Sequence, residues 1–173
     1  MDAYLEGWES AEHGAGVWND FYRVVQVLKV LKLVNVVPYI QVTNAKRTIE
    51  KYKELFGATL VDRMPFDPSI GAQFGFPEDF DYESSTMHAV MEIGGGMIYL
   101  SDSMGPAASG GSVEIVLDLD SREQIEDVWG KVKSQGLTVK MELEEQFWGA
   151  LYGRFVDDDG IGWQLNLNLT HES

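Results

Sequence analysis

The chain has 173 residues, 45% hydrophobic and 12% aromatic, which suits one domain of ordinary size or two small modules on a common core. Acidic residues outnumber basic ones 28 to 13, a net charge of −15, and a field of that sign repels phosphate backbones and anionic membranes, which excludes nucleic acid and membrane surfaces as partners. Cysteine is absent, which excludes disulfides, thiolate zinc sites and cysteine nucleophiles, so any metal would rest on His, Asp, Glu, Gln or Tyr.

Residues 1–33 read as an N-terminal extension, partly helical. Its start carries Asp2, Glu6, Glu9 and Glu12 instead of a basic run, so it is not expected to be a secretory signal, and a cytoplasmic location follows. From Val17, the residues Trp18, Phe21, Val25 and Leu28 recur near helical spacing and predict a helix to about Leu31 that gives way to the first strand. This segment either docks across a dimer interface or is accessory to the site. The apolar stretch 24–40 is interrupted by Gln26, Lys29, Lys32 and Asn35 and cannot span a bilayer.

From residue 34 to 168 one pattern is written twice, and internal repetition constrains architecture more than any single residue does. In residues 34–102 a strand-like run, Tyr39-Ile40-Gln41-Val42, feeds an amphipathic helix. Asn44 is a good N-cap, Ala45, Ile49, Tyr52 and Phe56 form one stripe, and Gly57 is the stop. A strand over 58–63 and a hairpin over 87–101 follow, with Gly94, Gly95 and Gly96 supplying the turn. In residues 113–168 the run Val113-Glu114-Ile115-Val116-Leu117 feeds a helix opened by Ser121-Arg122-Glu123-Gln124, a capping box, and ended at Gly136. Its hairpin spans 150–167. The predicted fold is α+β: two βαβββ modules forming paired curved mixed sheets, after an extra N-terminal segment.

Residues 103–112, rich in Gly, Ser and Ala, read as the linker, and 169–173 as a tail. Residues 64–86 have no counterpart in the second module and hold Pro65, Pro68, Pro77, Phe66, Phe76, Phe80 and Tyr82. They predict a lid, an arm around a partner subunit, or a loop pinned by its own aromatics. Asp157-Asp158-Asp159-Gly160 lacks the alternating ligands of a calcium loop and reads as a solvated hairpin turn.

Alternation along the strands sorts side chains into two sets. Ile40, Val42, Ala89, Ile98, Leu100, Ile115, Leu117, Trp163 and Leu165 suit the helix-covered side. Tyr39, Gln41, His88, Tyr99, Ser101, Glu114, Gln164 and Asn166 share the other, where so many polar groups require partners, water or a ligand. His88 beside Glu114 could move a proton near neutral pH, with Tyr99 donating to a developing oxyanion. Against this stand a structural histidine and a hydrogen-bonded carboxylate; a Glu114 buried without a cation would tend to hold its proton. Tyr39, Gln41, Ser101, Trp148 and Gln164 are the expected ligand contacts, Trp148 closing one end of the pocket. Arg154 either pairs with Glu114 or receives an anion.

The run Tyr52-Lys53-Glu54-Leu55-Phe56-Gly57, with Met87-His88-Ala89, Leu100-Ser101-Asp102, Phe147-Trp148-Gly149 and Asp159-Gly160 through Trp163, resembles the PhnB-like proteins. These belong to the vicinal oxygen chelate superfamily, with glyoxalase I, bleomycin resistance proteins and extradiol dioxygenases. The likeness covers residues 34–168 and implies a homodimer with small-molecule pockets in concave sheets. Metal-using members draw four ligands from positions that fall here on Val37, Tyr99, Glu114 and Gln164, of which one alone is a carboxylate. The resemblance therefore implies no tightly bound cofactor, leaving room for a weakly held divalent ion. Three readings stand: a binding protein for a small organic molecule; an isomerase, lyase or dioxygenase-type enzyme using His88 and Glu114; and a protein-interaction module.

Overall fold

The computed structural model describes residues 36–105 and 113–169. The expected helix to Leu31 and most of the linker lie outside them. Val37–Ser173 forms one compact unit that carries every described element.

The first module is β1 (Tyr39–Val42), α1 (Ala45–Phe56), β2 (Thr59–Met64), β3 (His88–Ile93) and β4 (Gly96–Asp102). The second is β5 (Glu114–Asp118), α2 (Arg122–Ser134), β6 (Thr138–Glu145), β7 (Ala150–Val156) and β8 (Gly162–Asn168). Each forms a four-stranded mixed sheet, in the orders β1-β4-β3-β2 and β5-β8-β7-β6. In both, the first strand runs parallel to the fourth and the other pairs are antiparallel. Even the irregularities repeat: β2 slips register between Leu60 and Asp62, and β6 between Val139 and Met141.

Local chemistry sets the helix ends as expected. The Asn44 side chain accepts from the Arg47 amide, and Gly57, at φ 66°, satisfies the last carbonyls of α1. Ser121 likewise caps α2. The capping box is only half formed, because Gln124 accepts from the Asp120 amide instead of returning to Ser121. At the tip of the first hairpin Gly94 and Gly95 both take positive φ, as a tight two-residue turn demands.

The alternating apolar residues of both sheets and the inner stripes of both helices merge into one core. Tyr52 and Phe56 of α1 reach Trp163 of β8, with ring centroids 5.2 and 4.5 Å apart, so the modules share their helix-covered sides. Among the described residues the opposite face of each sheet carries no helix, and Tyr39, Val116 and Trp148 stand half exposed.

In residues 64–86 the loop's own aromatics pack on one another, the feature that the third expectation describes. Phe76 stacks on Phe80 at 4.1 Å, Phe66 meets Phe76 edge-on, and Arg63 donates to the carbonyls of Glu83 and Ser85.

Candidate functional site

The open face of the first sheet gathers an aromatic group from three adjacent strands. Tyr39 lies opposite Tyr99 in the β1–β4 register, and His88 sits diagonally on β3. The His88 ring is 5.0 Å from Tyr99 and 5.7 Å from Tyr39. Gln41 is exposed beside them. Ser101 is buried, at 5% exposure, so it does not stand on the open surface with its neighbours.

On the second sheet the open face is ionic. Glu114 receives Arg154 in a two-pronged pair, from Nε at 3.0 Å and from Nη2 at 2.5 Å, and accepts from the Gln164 amide at 2.6 Å. These bonds, Arg154's first, hold the Glu114 carboxyl below its ordinary range. Of the two readings of Arg154, the pair with Glu114 is formed, so the condition for a protonated Glu114, burial without a cation, is not met. The pair borders an open pocket of about 590 Å³ lined also by Thr138, Lys140, Gly160 and Gly162. Trp148, in the turn after β6, packs on Tyr152 of β7 at 5.8 Å and is half exposed, while Phe147 is 98% exposed.

His88 and Tyr99 are therefore together, and Glu114 and Gln164 are together, but on different sheets. Among the described residues no hydrogen bond or ring contact joins the two groups.

The largest departure from expectation is the Asp157-Asp158-Asp159-Gly160 turn. Asp158 is exposed and pairs with Lys51, but Asp157 and Asp159 are buried. Asp157 accepts from the Tyr52 hydroxyl at 2.8 Å, the Trp163 indole at 3.0 Å and the Ile161 amide at 2.9 Å. Asp159 accepts from the Thr48 hydroxyl at 2.6 Å and the Thr43 amide at 3.2 Å. The turn fastens the second module to α1 of the first. Only the unusual density of aspartates signalled it in the sequence.

The four positions that the resemblance assigns to metal ligands are internally equivalent. Val37 and Glu114 each lie two residues before the partners, Tyr39 and Val116, of Tyr99 and Gln164. Their chemistry does not fit a divalent ion. Val37 has no donor atom, Tyr99 offers a neutral phenol, and Gln164 turns its amide nitrogen to Glu114. Glu114 already accepts three hydrogen bonds. Among the described residues no three His, Asp or Glu side chains are grouped to hold an ion.

Residues 30–165 match the family model of the Glyoxalase/Bleomycin resistance protein/Dioxygenase superfamily. Protein YjdN of Escherichia coli is 26% identical over 138 residues, covering 75% of this chain and 92% of its own. Protein PA1353 of Pseudomonas aeruginosa superposes with a TM-score of 0.63 at 28% identity, over 78% of this chain and 97% of that one. A PhnB protein of Bacillus cereus gives 0.62 at 20% identity, over 77% and 98%. With its doubled βαβββ sheets and this match, the chain belongs to the glyoxalase/bleomycin resistance/dioxygenase superfamily.

Proposed function

We propose that this chain is a small-molecule-binding protein, a cytoplasmic homodimer that holds an organic ligand on the open faces of its sheets without a tightly bound metal. The observation that carries the reading is the contrast between the two sides of each sheet. Apolar residues facing the helices are buried, whereas Tyr39, Trp148 and Phe147 leave rings in solvent beside polar Gln41, Gln164 and Glu114. Exposed aromatic surface rimmed by polar groups is the usual signature of a recognition surface. Tyr39, Gln41, Ser101, Trp148 and Gln164 remain the proposed ligand contacts, Ser101 from below the surface. A thermal-shift screen of small organic molecules tests it: stabilising compounds should lose their effect in Trp148→Ala. Compounds that stabilise both proteins equally would remove Trp148 from the site.

Acid–base catalysis by His88, Tyr99 and Glu114 is the second reading. It draws support from the Tyr99 phenol beside His88, while the Arg154 pair that lowers the Glu114 carboxyl makes Glu114 a weaker base. It requires the first sheet of one copy to meet the second sheet of another, and so stands or falls with the homodimer.

A further inference from the structure

The misfit at the metal positions has a positive counterpart on the same sheet. Glu114 and Gln164 occupy two of the four positions; Glu114 holds one cation, the Arg154 guanidinium, and Gln164 donates its amide to the same carboxylate. The seat for this arrangement is built into the backbone. A Cβ on Gly162 would lie 2.7 Å from Glu114 Cγ, so glycine there is what lets the Glu114 side chain lie flat across β8. A guanidinium has five N–H donors, and the Glu114 pair uses only Nε and one Nη2 hydrogen. The rest of the fork borders the open pocket, with its side chain 39% exposed, and Lys140 lines the same pocket from β6. Among the described residues Lys140 has no carboxylate within ion-pair distance. Two residues from Arg154 along β7 stands Tyr152, which with Trp148 forms an aromatic shelf.

We propose that Arg154 is the fixed cation of this face, held by Glu114 at one of the positions that the resemblance assigns to metal ligands, and that with Lys140 it binds an oxyanion of the ligand. Carboxylate, phosphonate and phosphate share the required chemistry: a planar or tetrahedral group of oxygens that accepts charge-assisted hydrogen bonds from a fork and an ammonium. The shelf then receives the ligand's apolar part, so the ligand is an aromatic or otherwise flat molecule with one anionic end. This inference rests on the binding-protein reading and narrows it.

Two probes with one ring and opposite charge test it: phenylphosphonate and benzyltrimethylammonium, titrated by calorimetry against the full chain, with Mn2+ alone as a third arm. Phenylphosphonate should bind and benzyltrimethylammonium should not. Arg154→Met and Lys140→Met should each weaken phenylphosphonate about tenfold or more, the loss of one charge-assisted contact. Lys140 is exposed, so its variant reports binding even if Arg154→Met, which strands Glu114, folds poorly. Gly162→Ala should also weaken the phosphonate by displacing Glu114 and with it the fork. Phenylphosphonate that fails to bind, or that binds equally to the Lys140 variant, overturns the inference, as does stoichiometric Mn2+ bound through Glu114. If benzyltrimethylammonium alone binds, and Trp148→Ala abolishes it, the oxyanion falls while the pocket stands. If neither binds and no organic compound perturbs this face, both fall.

Discussion

The Tyr52 hydroxyl donates to the Asp157 carboxylate at 2.8 Å, joining α1 to the β7–β8 turn across 105 positions of sequence. Both residues are buried, and Asp157 accepts in addition from Trp163 and Ile161. Tyr52→Phe keeps the ring and removes one donor. It should cost about 1–2 kcal/mol, because the carboxylate keeps its other partners but loses one bond in a dry site. Urea denaturation should show a lower midpoint with an unchanged slope. A midpoint equal to the parent's would mean that the bond does not hold the modules.

The same pair makes an alkaline prediction. Burial first, and then the negative charge of Asp157, push the Tyr52 phenol well above its ordinary 10.0. For a group raised on folding, the stability it contributes is whole below the unfolded value and is lost as pH rises from there through the folded one. Stability should therefore fall above about pH 10. Phenolate absorbance of the native protein should fall short of seven tyrosines until the protein unfolds. A full seven-residue titration of native protein would contradict the buried pair.

Glu114 gives the acidic counterpart. Arg154 and Gln164 depress its carboxyl below the ordinary 4.5, so its contribution is present above the unfolded value and is lost as pH falls through the folded one. Carboxyl NMR should show Glu114 titrating below the ordinary glutamate value, and Arg154→Met should raise it. An unchanged midpoint in that variant would show that the pair seen here does not persist in solution.

Gly71 tests whether the loop 64–86 is held by its aromatics. A Cβ there would meet the Tyr82 hydroxyl oxygen at 1.8 Å, and a rigid phenol has to swing away to admit it. Tyr82 would then leave Phe80, now at 4.9 Å, and Phe76. Gly71→Ala should cost about 1–3 kcal/mol by overpacking and speed proteolysis within the loop. Parent-like resistance to protease would place the loop's stability elsewhere.

Much of this molecule could be read from its letters, where the causes are local. Asn44, Gly57, Ser121 and Gly136 mark helix ends because capping and positive φ depend on a few adjacent residues. Strand alternation gave the buried set of Ile40, Val42, Ala89, Leu100, Trp163 and Leu165 for the same reason. What escaped was long-range. Nothing near Asp157 says that Tyr52 and Thr48 will arrive to bury the turn, so a solvated turn was the natural expectation. Alternation placed Glu114 and His88 on open faces, and the doubled pattern put them in separate modules, but neither could tell that among the described residues no contact brings the two together. Arg154 came with two readings, ion pair or anion receptor, and the fork geometry shows the first and leaves donors over for the second.

The most direct test of the central claim is protein-observed NMR of a fragment library against the full chain. The account predicts that hits move the amides of Tyr39, Gln41, Tyr99, Tyr152, Arg154 and Gln164 and leave those of Ile49, Val128 and Val132 in place. Hits gathering instead in the groove of about 310 Å³ beside Phe56, Ile93 and Val128 would contradict it.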